Sequence, residues 1–316
     1  MAYFGVVSLS LSRLPFTEFL DFLTEIEADG FELTTVAGAH RGQVELATEE
    51  GRRRLSEQVA AAGRRILSLG AYNTFIVPAE ALPAQVERLA GYIRLAAELG
   101  IPVVRAMGGE LPEGFTREEG ITALVEGFRQ AARIAADHGV VLALENHGRF
   151  LQEADLLKEV VEKVDSPHFR LTLDTGNFCW AGRSIAEARA AFAALLPYVA
   201  NVHLKDVEAG AGVRFVPAGT GQLAEALADL LHGLAKQDYS GPIQVEFEGA
   251  GDPRELLGRE DPNIDRYLKS GTRHGLQWAK ETWDSAGLHH GGHGGDRRYR
   301  TAGTGVARDS GICGGP

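Results

Sequence analysis

Short runs rich in β-branched and apolar residues, alternating with segments of helical spacing, predict an α/β protein folded as a single-domain (β/α)8 (TIM) barrel. Two further observations support closure. Eight strand candidates in succession imply repeated right-handed crossovers, which favour a closed barrel. The first run is followed by Ser8-Leu9-Ser10, not by the glycine-rich turn that marks an open, doubly wound sheet.

The elements follow in order. Residues 3–8 form the first strand, and Pro15, expected at the first helical position, opens a helix whose Phe16, Phe19, Leu20, Leu23 and Ile26 share one face. Residues 30–34 and 66–71 are the second and third strands. Leu82, Val86, Leu89, Ile93, Ala96 and Leu99 make the next helical stripe, which Gly100 ends. The fourth strand, 103–106, precedes a helix with Ile121, Leu124, Val125, Phe128, Ala131 and Ala132 on one face, ending near Gly139. The fifth, 140–145, precedes a stripe of Leu156, Leu157, Val160, Val161 and Val164 that Ser166-Pro167 stops. The sixth, 170–174, the seventh, 200–204, and the eighth, 243–247, are followed by helices at 185–196, 223–235 and within 253–282.

Residues 1–286 therefore read as one barrel. Residues 287–316 are about one-third glycine with little apolar content, and are expected to be a disordered tail. Four Arg and two Asp leave that tail at +2, so the chain's net charge of −11 leaves the barrel at −13. So acidic a body argues against nucleic acid or an anionic membrane as partner, because phosphate contacts need clustered Lys and Arg. Two cysteines, Cys179 and Cys313, cannot build a disulfide framework, and no apolar run is long enough to span a bilayer. With no secretory signal visible, a cytoplasmic protein is expected.

In a barrel the chemistry sits at the carboxyl ends of the strands. The last four strands end in Glu145-Asn146-His147, Asp174-Thr175-Gly176-Asn177, His203-Leu204-Lys205-Asp206 and Glu246-Phe247-Glu248. Side chains alternate along a strand. Leu142, Leu144, Leu171, Leu173, Val202, Leu204, Val245 and Phe247 are expected to face the helices, which turns Glu145, Asp174, His203 and Glu246 inward together. Glu248 shares that parity and competes with Glu246. Converging carboxylates around an imidazole would repel one another and lose hydration unless a cation held them. The mixed oxygen and nitrogen donors suit one divalent ion: Mn2+, Mg2+, Co2+ or Zn2+. His147 and Lys205 share the inward parity one step above and are candidate substrate binders or proton carriers. Glu32 is a candidate for a sugar hydroxyl or for a salt bridge at the rim.

Residues 140–148 (VVLALENHG), 170–178 (RLTLDTGNF), 201–206 (NVHLKD) and 243–249 (IQVEFEG) resemble the xylose isomerase-like barrel superfamily of sugar phosphate isomerases and epimerases. Gly30-Phe31-Glu32-Leu33 and the Gly219-Thr220-Gly221 loop belong to the same likeness, which covers roughly residues 1–285. The resemblance implies a metal, Mn2+ first among the candidates, bound by Glu145, Asp174, His203 and Glu246, and selects Glu246 over Glu248. It also implies that Glu145 and Glu246 act as acid and base on opposite faces of a small sugar substrate, through a metal-stabilised enediolate. Barrels of this kind often form dimers or tetramers. Ketose 3-epimerases of the superfamily usually carry His where Asn177 stands, and an Arg shortly after the metal His where the nearest here is Arg214; Asn177 is the substrate-binding candidate at that position. A sugar or sugar phosphate isomerase or epimerase is the expected activity. The alternatives are a lyase dehydrating a keto-inositol, an endonuclease IV-like DNA-repair enzyme, which the −13 body disfavours, and a non-catalytic sugar-binding barrel.

Overall fold

The structure is a computed structural model, and it describes residues 2–210 and 212–286. The expected tail, with His289, His290, His293 and Cys313, lies outside the described residues. The chain runs β1 (Tyr3–Val7), α1 (Phe16–Glu25), β2 (Gly30–Thr34), α2 (Glu49–Ala61), β3 (Arg65–Gly70), α3 (Leu82–Glu98), β4 (Val103–Ala106), α4 (Arg117–Asp137), β5 (Val141–Glu145), α5 (Ala154–Val164) and β6 (Phe169–Asp174). It continues through α6 (Asn177–Trp180), α7 (Ile185–Leu195), β7 (Val199–Leu204), β8 (Asp206–Ala209), β9 (Val213–Val216), α8 (Ala224–Lys236), β10 (Pro242–Val245) and α9 (Pro262–Ser285).

Eight of these strands close into a parallel barrel in the order β1-β10-β7-β6-β5-β4-β3-β2. β8 and β9 form a separate antiparallel hairpin over the carboxyl end of β7. The strands coincide with the eight runs expected from the sequence to within about two residues. The eighth is the exception in length: it ends at Val245, so Glu246-Phe247-Glu248 extends beyond the strand.

Parity behaves as expected. Leu142, Leu144, Leu171, Leu173, Val202, Leu204, Val245 and Phe247 are all buried in the main core between sheet and helices. A second, small cluster of Val103, Val141, Ala143 and Ala200 lies apart from that core, drawn from the first halves of β4, β5 and β7. The barrel closes tightly where Gly5 pairs with Gly30. A Cβ at Gly30 would stand 2.1 Å from the Arg65 carbonyl oxygen, so only glycine fits.

Three local features differ from the sequence reading. Pro15 is the N-cap of α1, one place before the expected first helical position. Helix α2 is absent from the periodic pattern because only Gly51, Leu55 and Val59 of its residues are buried; Thr48 caps it by accepting the Gly51 amide. The β8–β9 hairpin replaces what reads as plain loop. Elsewhere the helix ends carry their own signals, such as the reciprocal capping boxes Thr116/Glu119 on α4 and Ser184/Glu187 on α7, each contributing about 1 kcal/mol. No helix among the described residues is long and apolar enough to cross a membrane.

Candidate metal centre

The registers of the last strands bring the expected residues to one level. Asp174 pairs with His203 across β6 and β7, Glu145 stands opposite Thr172, and His203 opposite Gln244. The Glu246 amide continues the ladder by donating to the Leu204 carbonyl at 3.2 Å. All four side chains are buried.

One donor atom each from Glu145, Asp174 and His203 lies within 4.8 Å of the others, an arrangement that could hold a metal ion. Glu246 joins from β10: its Oε2 is 3.0 Å from His203 Nδ1, which lies 3.9 Å from Glu145 Oε1 and 4.0 Å from Asp174 Oδ2. Asp174 Oδ2, His203 Nδ1 and Glu246 Oε2 are buried and have no hydrogen-bond partner. Buried oxygen and nitrogen donors grouped in this way, with Glu246 beside His203, are what a divalent ion would satisfy. The donor set therefore fits the expected group. Glu248 stands apart from these atoms; its Oε2 accepts from Lys205 Nζ at 3.0 Å.

The surrounding contacts orient each donor. Asp174 Oδ1 accepts the Gly176 and Asn177 amides, both at 3.0 Å, which leaves Oδ2 facing the cluster. Asn146 clamps the Asp174 backbone, accepting its amide at 2.8 Å and donating to its carbonyl at 2.9 Å. Asn177 Nδ2 donates to Glu145 Oε1 at 3.2 Å. Below the cluster, His203 Nε2 is 2.9 Å from Glu32 Oε2. A carboxylate only accepts, so Nε2 carries a proton toward Glu32, and Nδ1 is the nitrogen that faces Glu246, Glu145 and Asp174; a bound cation would take the place of the Nδ1 proton that the charged ring carries. Glu32 is itself held by Ser68 Oγ at 2.7 Å and by Arg105 Nε at 3.2 Å.

Electrostatics follow from this packing. For Asp174, burial outweighs the attraction of Lys205 and raises the carboxyl to about 7. At Glu246 burial pulls in the same direction, but Lys205 and His203 overcome it and hold the group below the ordinary carboxylate range. Burial likewise opposes charge on Glu32, yet His203 and Arg105 bring it down to about 2. Burial would neutralise His203 and Lys205, and the carboxylates around them keep both charged. His147 is pushed down, chiefly by burial.

A cavity of about 380 Å³ opens above the cluster. His147, Asn177 and Lys205 stand in its wall, together with Trp180 and Phe215. Glu32 does not: it is 1% exposed and lies beneath the floor, where its oxygens are taken by His203, Ser68, Arg105 and, at 3.4 Å, Asn201. Its place is that of a group orienting His203, in contact with the protein and away from the cavity.

Two participants escape sequence reasoning. Arg105 lies in a strand of otherwise apolar residues, and its partners Glu32 and Glu145 (Nε to Oε2, 3.5 Å) come from other strands. Asp206 accepts four backbone amides, from Val207, Gly219, Gly221 and Leu223, at 2.8 to 3.0 Å. It thereby folds the loop after the hairpin; the only sequence signal was its position beside Lys205.

Comparison with known proteins agrees with this picture. A family model described as xylose isomerase-like TIM barrel matches residues 20–281. A human protein provisionally named as a hydroxypyruvate isomerase is 26% identical over 215 residues, which cover 64% of this chain and 66% of that protein, slightly less than two thirds of its length. D-psicose 3-epimerase of Clostridium cellulolyticum H10, solved with D-tagatose, superposes with a TM-score of 0.69 at 15% identity over 89% of this chain and 99% of that one. A xylose isomerase-like TIM barrel protein from Mycobacterium smegmatis, solved in complex with magnesium, gives 0.66 at 16% identity over 90% and 98%. At such identities the structural likeness shows the fold.

Proposed function

The chain belongs to the xylose isomerase-like TIM barrel family, and from that premise we propose that it is a metal-dependent isomerase or epimerase of a small sugar or sugar phosphate. The observation that carries this reading is the buried trio Glu145, Asp174 and His203 at the carboxyl ends of neighbouring strands, whose donor atoms lie within 4.8 Å of one another, with Glu246 Oε2 3.0 Å from His203 Nδ1. Glu145, Asp174, His203 and Glu246 would hold the ion, with Mn2+ the first choice. When bound, such an ion supplies a Lewis acid that polarises a carbonyl and its neighbouring hydroxyl.

The chain's own residues supply the proton transfer. Glu145 and Glu246 belong to β5 and to the end of β10, with β6 and β7 between them, and both line the cavity. One carboxylate takes the proton from the carbon beside the carbonyl, and the other returns one to the opposite face. Asn177 steadies Glu145 through Oε1. His147 and Lys205 face the cavity as partners for substrate oxygens, His147 in its neutral form because burial depresses its pKa. Trp180 and Phe215 stand in the wall of the cavity.

The test is solvent deuterium exchange at the carbon beside the carbonyl, on Mn2+-supplemented protein, across hydroxypyruvate, ketoses, keto-inositols and their phosphates. Exchange that disappears in Glu145→Gln and Glu246→Gln supports the assignment. Absence of exchange throughout the panel, or exchange that survives both substitutions, sinks it. Product lighter by one water would turn the reading to a lyase.

A further inference from the structure

Lys205 lines the cavity and also reaches the candidate metal ligands themselves. It follows His203 by two positions, so its side chain returns to the same side of the barrel as the cluster. The ammonium is buried, 3.1 Å from Asp174 Oδ2, 3.1 Å from Glu246 Oε2 and 3.0 Å from Glu248 Oε2. The first two are orphaned donor atoms of the candidate centre; they lie at ion-pair distance from Nζ without hydrogen-bond geometry. The third contact is a hydrogen bond.

The backbone fixes this placement. The Lys205 amide donates to Thr175 Oγ1 at 2.8 Å, and Thr175 Oγ1 lies 2.7 Å from the Lys205 carbonyl it donates to. Gly176 leaves room for the stem, since a Cβ there would come within 2.7 Å of Lys205 Cβ. Phe215 flanks the ammonium, its ring centroid 5.2 Å from Nζ. Four methylenes allow the ammonium to shift toward Glu248 without moving the strand.

We propose that Lys205 is a competing counter-ion of the metal centre: its ammonium balances Asp174 and Glu246 in the metal-free protein and withdraws onto Glu248 when a divalent ion takes those oxygens. The reasoning is Coulombic. Two cations drawing on the same two buried oxygens repel at close range, so the ammonium lowers metal affinity and protects the metal-free barrel from carboxylate repulsion. Glu248 makes the exchange reversible by giving the ammonium a second partner. The inference rests on the metal-centre reading above.

Calorimetric titration of chelator-treated protein with Mn2+ tests it. Lys205→Met is expected to bind Mn2+ about tenfold more tightly than wild type, because a repelling charge has gone. Its metal-free form should melt at a lower temperature, with the gap closing as Mn2+ is added. Glu248→Gln, which keeps the ammonium and weakens its alternative partner, should bind Mn2+ more weakly than wild type. A Lys205→Met protein that binds Mn2+ no more tightly, or a Glu248→Gln protein that binds it as well as wild type, overturns the inference while leaving the metal centre standing. Failure of the wild type itself to bind Mn2+ removes the metal-centre reading as well.

Discussion

His203 donates through Nε2 to Glu32 Oε2 at 2.9 Å, and this one contact decides which ring nitrogen faces the carboxylates. Glu32 comes from β2, across the barrel from β6 and 171 positions from His203 in the sequence. A buried carboxylate there fixes the tautomer and the ring angle of His203 and raises its basicity as a ligand.

Glu32→Gln should therefore weaken divalent-metal binding by roughly ten- to a hundredfold without entering the cavity. The amide can present its NH2 to His203 and turn the imidazole to the wrong tautomer. Calorimetric Kd values for Mn2+, with circular dichroism to establish that the variant folds, check this. Unchanged affinity would mean that Glu32 merely balances Arg105.

Removing the metal should also cost stability. An ion that binds only the folded chain contributes RT ln(1 + [L]/Kd), about 2.7 kcal/mol at a hundredfold excess over Kd. Thermal melts after chelator treatment are expected to shift downward and to recover on adding Mn2+. A melting temperature indifferent to both treatments contradicts a metal held at Glu145, Asp174, His203 and Glu246.

What the sequence made legible, and what it hid, follows from the range of the interactions. Strand runs and parity are local, so Glu145, Asp174, His203 and Glu246 could be placed on one level without knowing any contact. Helix α2 was hidden because Arg53 pairs with Glu50 and Glu57 along an exposed face, leaving too thin an apolar stripe to register. Arg105 was hidden for the opposite reason: a guanidinium inside an apolar strand makes sense only once Glu32, 73 positions away, is seen beside it. Glu32 lies beneath the floor and not at the rim, where a salt bridge was expected for it. Its depth in the barrel depends on the register with Ser68 in β3, which no local pattern reveals.

Asp206 offers a structural prediction independent of metal. Its carboxylate accepts four amides that span the hairpin and the loop at Gly219–Leu223. Asp206→Ala leaves those donors to water or to none, at a cost of about 2–4 kcal/mol. Urea unfolding should show that loss, and Asp206→Asn, which retains one acceptor oxygen, should recover part of it. Full stability in Asp206→Ala would show that the loop is held by its other contacts.

His40, which is not among the candidate metal ligands, gives the barrel a pH-sensitive stability. Its ring is buried between Phe16 and Phe19, at centroid distances of 5.4 and 4.8 Å. Nδ1 is 3.2 Å from the Leu14 carbonyl, so Nδ1 carries the proton, and Nε2 has no partner. Burial depresses its pKa from 6.5 to about 4, against a smaller opposing effect of the Leu14 carbonyl. The unfolded chain then binds a proton as pH falls through 6.5 while the folded chain does not, so the contribution of neutral His40 is intact above 6.5 and is lost on the way down to about 4. The loss amounts to about 3 kcal/mol, at roughly 1.4 kcal/mol for each pH unit between the two values. Other groups titrate over the same range, so the comparison is between wild type and His40→Leu, each unfolded in urea at pH 7.5 and at pH 4.5. Because pH 4.5 stops short of the folded value, the wild type should lose about 2–3 kcal/mol more than the variant over that interval. Parallel losses in the two proteins would show that His40 is protonated in the folded barrel without penalty, and that the aromatic cage around it admits charge.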